Sequence, residues 1–144
     1  MPFEPLEEKR VYQHAEAVAD AVWDLCGPWD SFVKQTVGSQ LVRAADSIGA
    51  NVAEAGGRFH PSDVCNFFYY ARGSLYETRY WLRRAVKRKL ITEEQTYALF
   101  ATLEQLAKDV NGCISFQRTR LTKSGPRASR ATKAPATSPN KQTT

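Results

Sequence analysis

The sequence predicts an all-α protein: an antiparallel up-down-up-down four-helix bundle with a disordered basic C-terminal tail. Three observations support this fold class. Apolar residues recur at intervals of three and four along four separate segments. Short stretches with helix stop and start signals separate these segments, and no stretch shows the period-two alternation of a strand. Since short connections join antiparallel neighbours, four such helices form an up-down-up-down bundle.

The length and composition fit one small domain and exclude a membrane protein. The chain has 144 residues, of which 42% are hydrophobic, and its mean hydropathy is -0.47. It has no apolar run of about 18 residues and no signal-peptide-like start, so we expect a cytoplasmic protein. Cys26, Cys65 and Cys113 are odd in number and far apart, which favours small buried side chains over a disulfide framework or a zinc site.

The net charge of +5 is concentrated near the C-terminus. Residues 118–144 hold seven of the 20 basic residues and no acidic residue, which leaves 13 basic against 15 acidic residues before them. This segment has no apolar periodicity and is rich in Ser, Thr, Pro and Ala, so it cannot bury enough apolar surface to offset the entropy of ordering. We therefore divide the chain into a four-helix bundle, residues 1–118, and a disordered basic tail, residues 119–144.

Stop signals separate the first two predicted helices. The first helix is expected over residues 7–26, before Gly27-Pro28, because proline lacks an amide proton and restricts the residue that precedes it. The second helix is expected over residues 33–55. Trp29 and Phe32 lie between the two helices, and we expect both rings to cover the end of the core.

Start signals define the third and fourth predicted helices. Ser62 is the expected N-cap of the third helix, which covers residues 63–89 and ends in a basic run that suits the negative end of a helix. Residues 92–95, Thr-Glu-Glu-Gln, form a capping box at the start of the fourth helix. We expect this last helix to end near Arg118.

The sequence contains no recognisable active site. A di-iron site in a helix bundle would need Glu-x-x-His pairs, and neither His14 nor His60 follows a glutamate by three residues. No nucleophile has a histidine base in a recognisable order, and no glycine-rich phosphate loop occurs. We therefore predict a non-enzymatic protein that binds no metal and no cofactor.

A polar stripe lies beside the core face of the second predicted helix. At 100° per residue, five side chains fall within about 80° of one another. They are Arg43, Ser47, Asn51, Glu54 and Arg58. Three interpretations are open: a structural network with Ser74 and Glu77 of the third helix or a subunit contact, a ligand site built around Arg43 and Arg58, or solvated surface.

The outer face of the third predicted helix alternates basic residues with tyrosines. Cations neutralise phosphates and aromatic rings stack on bases, so such a face is typical of nucleic-acid binding. It is equally typical of a protein–protein interface, and an oligomer that arranges several such faces in a ring would combine the two. The candidate nucleic-acid-binding residues are Arg72, Tyr76, Arg79, Tyr80, Arg83, Arg84, Lys87 and Arg88.

The same residues resemble a known family. The matching positions are QLVRAADSIGANVAEAGGR at 40–58, Phe67, Ala71, Gly73, Ser74, Leu75, Glu77 and YWLRRAVKRKLI at 80–91. They resemble the bacterial four-helix-bundle proteins that are encoded in intervening sequences of large-subunit ribosomal RNA genes. Relatives of these proteins include the accessory variability proteins of diversity-generating retroelements. The resemblance covers residues 9–117, and the tail lies outside it.

The resemblance implies a homopentameric ring without known enzymatic activity that is suspected of binding nucleic acid. In the retroelement branch it also implies binding to a reverse transcriptase. We therefore expect a homo-oligomer, of five copies on this resemblance, that binds RNA or DNA through the basic, tyrosine-interleaved face with little sequence specificity. The alternative is a structural adaptor for a protein client, such as a reverse transcriptase or an RNA-processing enzyme.

Overall fold

Four helices form the predicted antiparallel bundle. The computed structural model describes the backbone of residues 9–128 and the side chains of residues 9–123. The helices are α1 (Arg10–Cys26), α2 (Ser39–Gly56), α3 (Pro61–Lys87) and α4 (Glu93–Ala128). Each helix packs against its neighbour in the chain, and α4 closes the bundle against α1. No strand occurs among the described residues, and none of their helices is long and apolar enough to cross a membrane.

The core runs along the axis of the bundle and is built from the predicted apolar stripes. A side chain that recurs every three or four residues returns to the same side of a helix, so each helix buries one stripe. The largest fully buried side chains come from all four helices and include Val18, Val22, Leu41, Ile48, Leu75, Leu82, Leu103 and Leu106.

Helix α4 is longer than the sequence predicted. It continues beyond Arg118 to Ala128, so residues 119–128 are helical and not disordered. The reason is visible at Leu121, which extends the apolar spacing of Ile114 by two turns and packs against the core. Residues 129–144, the rest of the predicted tail, and the N-terminal residues 1–8 lie outside the described part of the chain.

The connection between α1 and α2 is itself mostly helical. A single turn, Ser31–Val33, and a π-helix, Lys34–Gly38, lead directly into α2. Trp29 is half-buried against the core, and its indole N–H donates to the carbonyl oxygen of Leu90 at 3.2 Å. The predicted cover over this end of the core is therefore right for Trp29. It is wrong for Phe32, which is 76% exposed, because the extra helical turn carries that side chain outward.

The start of α3 differs slightly from the prediction. The N-cap is His60, not Ser62, and it makes no side-chain capping bond. Pro61 begins the helix, since its fixed φ suits the first helical position and its missing N–H costs nothing there.

A Schellman motif ends α3. The N–H of Leu90 donates to the carbonyl of Ala85 at 2.9 Å, and the N–H of Lys89 donates to that of Val86 at 3.0 Å. Lys89 adopts φ 59°, a left-handed conformation that usually favours glycine.

The predicted capping box then starts α4. The N–H of Gln95 donates to the hydroxyl oxygen of Thr92 at 3.1 Å, and the N–H of Thr92 donates to the Gln95 side chain at 3.0 Å. These two turns bring the end of α3 and the start of α4 to the same end of the bundle.

Candidate nucleic-acid interface

One side of α3 carries basic and tyrosine side chains along its exposed length. Six of the predicted residues share this side and are named the α3 face below. They are Arg72, Tyr76, Arg79, Tyr80, Arg83 and Lys87. Tyr76 and Tyr80 are 54% and 55% exposed. Because a helix rises 1.5 Å per residue, the α3 face extends over about 22 Å from its first residue to its last.

Arginine–tyrosine contacts organise the α3 face. The guanidinium carbon of Arg72 lies 5.0 Å from the ring centroid of Tyr69, and that of Arg79 lies 5.5 Å from the ring centroid of Tyr76. Arg72 also donates to Oδ1 of Asn111 on α4 at 3.4 Å. These contacts orient the two cations without neutralising them.

The α3 face has no acidic partner among the described residues. The ion pairs in that part of the chain join Arg10 and His14 to Asp109, and Arg58 to Glu54. None of them involves a residue of the α3 face, so its four cations remain available to an external anion.

Arg84 and Arg88 lie beyond the edge of the α3 face that is farthest from Arg79. At 100° per residue they are about 140° and 180° around the helix from Arg79. Arg84 is half-buried and Arg88 is exposed. Arg84 is one helical turn from Tyr80 and about 40° around the helix from it, so Arg84 adjoins the edge of the α3 face, and Arg88 lies a further 40° around.

A groove between α3 and α4 adjoins the α3 face and was not predicted. It has a volume of about 940 Å³. Arg79 and Arg83 line one wall, while the wall from α4 carries aromatic and acidic side chains, namely Glu93, Tyr97, Phe100 and Glu104. Tyr97 is 81% exposed. The sequence signal was an aromatic residue outside the apolar period of the fourth helix, but the groove itself depends on how α3 and α4 are rotated against each other.

The polar stripe of α2 lies along its contact with α3. The hydroxyl oxygens of Ser47 and Ser74 are 2.9 Å apart. The side-chain amide of Asn51 donates to the carbonyl oxygen of Ser47 at 2.9 Å and to its hydroxyl at 3.2 Å. The buried hydroxyl of Thr78 donates to the carbonyl of Ser74 at 2.8 Å. We call these four residues the α2–α3 seam, in which the contact between Ser47 and Ser74 joins the two helices.

The remaining members of the stripe do not join the seam. Arg58 donates to Glu54 at 3.3 Å and lies over the ring of Phe67 on α3, 4.6 Å from its centroid. Glu77 accepts from the indole N–H of Trp81, one turn along its own helix. Arg43 is exposed and has no hydrogen bond or ion pair among the described residues. It lies about 22 Å along α2 from Arg58, which is too far for one small ligand to contact both.

A second polar cluster joins α1 to α4. Asp109 pairs with His14 and with Arg10 (3.7 Å), and the side-chain amide of Gln105 donates to it at 3.4 Å. Burial, followed by the negative charge of Asp109, raises the pKa of the nearby Cys113 thiol, and Lys9 partly opposes this rise. No group of three or more His, Cys, Asp or Glu side chains in the described residues could hold a metal ion.

Comparison with known proteins decides the family. The family model of the 23S rRNA-intervening sequence proteins matches residues 7–112. The chain belongs to this family. The match includes the α2–α3 seam, the α3 face and the groove, so all three are features of the family region of this 23S rRNA-intervening sequence protein and not of its tail.

A solved structure shows the same fold. It is a protein of unknown function from the S23 ribosomal protein family of Bacteroides thetaiotaomicron, with a TM-score of 0.66 and 24% sequence identity. The similarity covers 73% of this chain and 95% of that one. No curated protein matches the sequence. At this identity the likeness supports the bundle architecture alone.

Proposed function

We propose that this 23S rRNA-intervening sequence protein is a non-enzymatic, cytoplasmic homo-oligomer that binds RNA or DNA through the α3 face. The observation that carries the proposal is a row of cations without acidic partners among the described residues, set beside two exposed tyrosine rings. A row of lysine and arginine side chains can bind phosphates, and exposed aromatic rings can stack on bases.

The charge distribution of the bundle supports one binding side. The outer side of α1 exposes Glu16, Asp20 and Asp24 at intervals of four residues, which places them on one stripe of that helix. In the bundle α1 and α3 are diagonal neighbours, so this acidic stripe faces away from the α3 face. The acidic stripe of α1 therefore repels nucleic acid, and the α3 face attracts it.

The chemistry of the α3 face favours binding with little sequence specificity. Contacts from lysine and arginine to phosphate position a nucleic acid but carry no sequence information. Stacking on tyrosine is tolerant of sequence because every base has a π-face. The cations therefore supply affinity, and the tyrosines favour exposed bases.

Self-association is the second part of the proposal. Several aromatic side chains lie exposed outside the α3 face: Trp23 (66%), Phe32 (76%), Phe59 (88%) and Phe116 (64%). Aromatic side chains are enriched at the cores of protein–protein interfaces, so these four suit contacts between copies of the chain. Five copies are expected from the sequence resemblance, and the mass of the native particle in solution tests that number.

The salt dependence of binding tests the proposed function. We expect the logarithm of the binding constant for a labelled duplex to fall with the logarithm of salt concentration, by a slope of about -0.9 per phosphate contact. Arg83→Glu should weaken binding strongly, while Arg43→Glu, which changes the charge equally at an exposed residue of α2, should not. Absence of binding at about 50 mM salt, or equal loss in both variants, would refute binding by the α3 face.

The second candidate function is a structural adaptor for a protein client such as a reverse transcriptase or an RNA-processing enzyme. The observation in its favour is a small groove between α1 and the start of α2, where exposed Trp23 lies beside Lys34, Val42 and Arg43. Truncation after Ala128 separates the two candidates, because it keeps α4 intact. If all nucleic-acid binding is lost with residues 129–144, the adaptor is favoured.

A further inference from the structure

The groove between α3 and α4 holds opposite charges that do not neutralise each other. Arg79 and Arg83 line its α3 wall, and Glu93 and Glu104 line its α4 wall. No ion pair joins the two walls, although the described residues do form ion pairs elsewhere. A ligand that suits both walls carries an anion on one side and hydrogen-bond donors on the other.

Between the charged walls the groove is aromatic and apolar. Phe100 is half-buried at its base, Val86 is 41% exposed, and Tyr97 is 81% exposed at its edge. Phe100 and Glu104 are one helical turn apart, so the ring and the carboxylate lie on the same side of α4. A planar ring that rests on these aromatic side chains can therefore present its edge to Glu104.

We propose that this groove receives an unpaired base of single-stranded nucleic acid and prefers adenine, cytosine or guanine over uracil or thymine. The inference rests on the proposed function, because the phosphates of the same strand contact the α3 face. Arg79 and Arg83 belong to both surfaces, so a strand that follows the α3 face has its bases beside the groove.

The base preference follows from hydrogen-bond chemistry. A carboxylate accepts from the exocyclic amino groups of cytosine, adenine or guanine. Uracil and thymine have no amino group. Their one edge donor, the N3 imino N–H, lies between two carbonyl oxygens, which oppose the carboxylate of Glu104 as further acceptors. Tyr97 and Phe100 provide stacking to any base. The groove therefore combines general affinity for unpaired bases with discrimination by their edges.

A duplex cannot use the groove in this way. Its bases are paired and stacked, so their faces are covered and their Watson–Crick edges are already hydrogen-bonded. Duplex can still contact the cations of the α3 face. The groove consequently adds affinity for single strands alone, and this addition is what an experiment can isolate.

The first test compares single strand with duplex by fluorescence anisotropy on the full-length protein. Twelve-nucleotide oligo(A), oligo(C), oligo(U) and a duplex of equal length are the probes. Tyr97→Ala should weaken oligo(A) and oligo(C) by about fivefold or more, as the loss of one stacked base predicts, and leave duplex unchanged. Tyr70→Ala, an equally simple loss of an exposed tyrosine on the α2 side of α3, is the control and should change neither.

The second test measures the preference for bases that carry an amino group on their edge. Glu104→Gln should reduce the ratio of oligo(C) to oligo(U) affinity from about fivefold or more toward one, chiefly by strengthening oligo(U), since a negative charge beside phosphate is removed. Glu16→Gln on the outer side of α1 removes the same charge and should leave the ratio unchanged. A destabilised variant would lose affinity for every probe, so a gain for oligo(U) cannot come from unfolding.

The outcomes separate this inference from the proposed function. If Arg83→Glu weakens every probe while Tyr97→Ala and Glu104→Gln change nothing, nucleic-acid binding stands and the base site is refuted. Equal affinity for single strand and duplex also refutes it. If no probe binds at about 50 mM salt, both proposals are refuted.

Discussion

The α2–α3 seam and the α3 face start from the same kind of sequence pattern and end in different roles. Both are polar stripes with helical periodicity beside an apolar core. In the seam, Ser47, Asn51, Ser74 and Thr78 find hydrogen-bond partners within the chain. In the α3 face, the cations have no acidic partner among the described residues. Helical periodicity identifies a polar stripe in the sequence. Whether its side chains are hydrogen-bonded within the chain determines whether the stripe stabilises the fold or remains available to a partner.

The contacts of the two regions also differ in how much they contribute to stability. A neutral hydrogen bond in a half-buried seam contributes about 1 kcal/mol, and an unsatisfied partner costs about 1–3 kcal/mol. An exposed arginine–tyrosine contact contributes about 0.5–1 kcal/mol and leaves the charge free. Substitutions in the seam should therefore change stability, and substitutions on the α3 face should change binding.

The largest expected contrast lies between two adjacent residues of α3. Leu75 is fully buried, and Tyr76 is 54% exposed on the α3 face. Leu75→Ala should lower the free energy of unfolding by about 2–5 kcal/mol, because it removes buried methyl groups and leaves a cavity. Tyr76→Ala should change it by less than about 1 kcal/mol, since it loses only an exposed contact with Arg79, but it should weaken nucleic-acid binding. Chemical denaturation and anisotropy measure the two effects, and a stability loss above about 1 kcal/mol in Tyr76→Ala would contradict the division.

Burial of the Cys26 thiol predicts a loss of stability at alkaline pH. Burial raises the pKa of the Cys26 thiol to about 11 from an ordinary value of 9.0. Between these values the unfolded chain releases the thiol proton and the folded chain keeps it. The stabilising contribution is therefore complete below pH 9 and is lost as the pH rises to about 11, by at most about 1.4 kcal/mol per pH unit.

Cys26→Ala isolates this contribution from those of other titrating groups. The difference in unfolding free energy between wild type and variant should be constant below pH 9. It should shrink between pH 9 and 11, because only the wild type carries the thiol. Curves that stay parallel through this range would show that the Cys26 thiol is not held neutral by burial.

A double-mutant cycle at the seam gives the next largest effect. Ser47→Ala and Ser74→Ala should each cost about 1 kcal/mol, since each leaves a hydroxyl without its partner across the two helices. The double variant should cost less than the sum, with a coupling of about 0.5–1 kcal/mol. A matched cycle of Tyr76→Ala and Arg79→Ala on the α3 face should show a coupling in stability of at most about 0.5 kcal/mol, the low end for an exposed contact, because the guanidinium lies as far as 5.5 Å from the ring centroid. If the two cycles agree, the seam is no more structural than the face.

The sequence predicted the seam better than the groove for a physical reason. Ser47 and Asn51 lie at the edge of the apolar stripe of α2, where a neighbouring helix must pack, and Ser74 lies at the matching edge of α3. Such edges follow from periodicity within each helix. The groove requires Arg83 and Glu104 to face one another across two helices, and the rotation between α3 and α4 is set by packing of the whole core.

The same limit explains the errors at the ends of helices. The single turn at Ser31–Val33 places Phe32 in solvent, because this extra helical turn before the π-helix directs its side chain outward. Helix α4 continues past Arg118 because one apolar residue, Leu121, is enough to keep the helix against the core. Isolated residues of this kind are too sparse to give a periodic signal.

The smallest predicted effect is at Lys89, where one substitution should raise stability and weaken binding. Lys89 has φ 59° in the Schellman motif that ends α3, and its side chain lines the groove. Lys89→Gly should raise the free energy of unfolding by about 0.5–1 kcal/mol, because glycine adopts a left-handed conformation without a Cβ penalty. The same substitution should weaken single-strand binding slightly, since one cation leaves the groove.

Lys89→Ala is the matched variant that separates these two consequences. It removes the same charge but keeps a Cβ at positive φ, so binding should weaken as in Lys89→Gly while stability stays close to that of wild type. Thermal unfolding and oligo(C) anisotropy on the three proteins measure both. If both variants bind more weakly than wild type and only Lys89→Gly is more stable, the charge in the groove explains why a lysine occupies a position suited to glycine. If the two variants are equally stable, the left-handed residue carries no cost and this explanation fails.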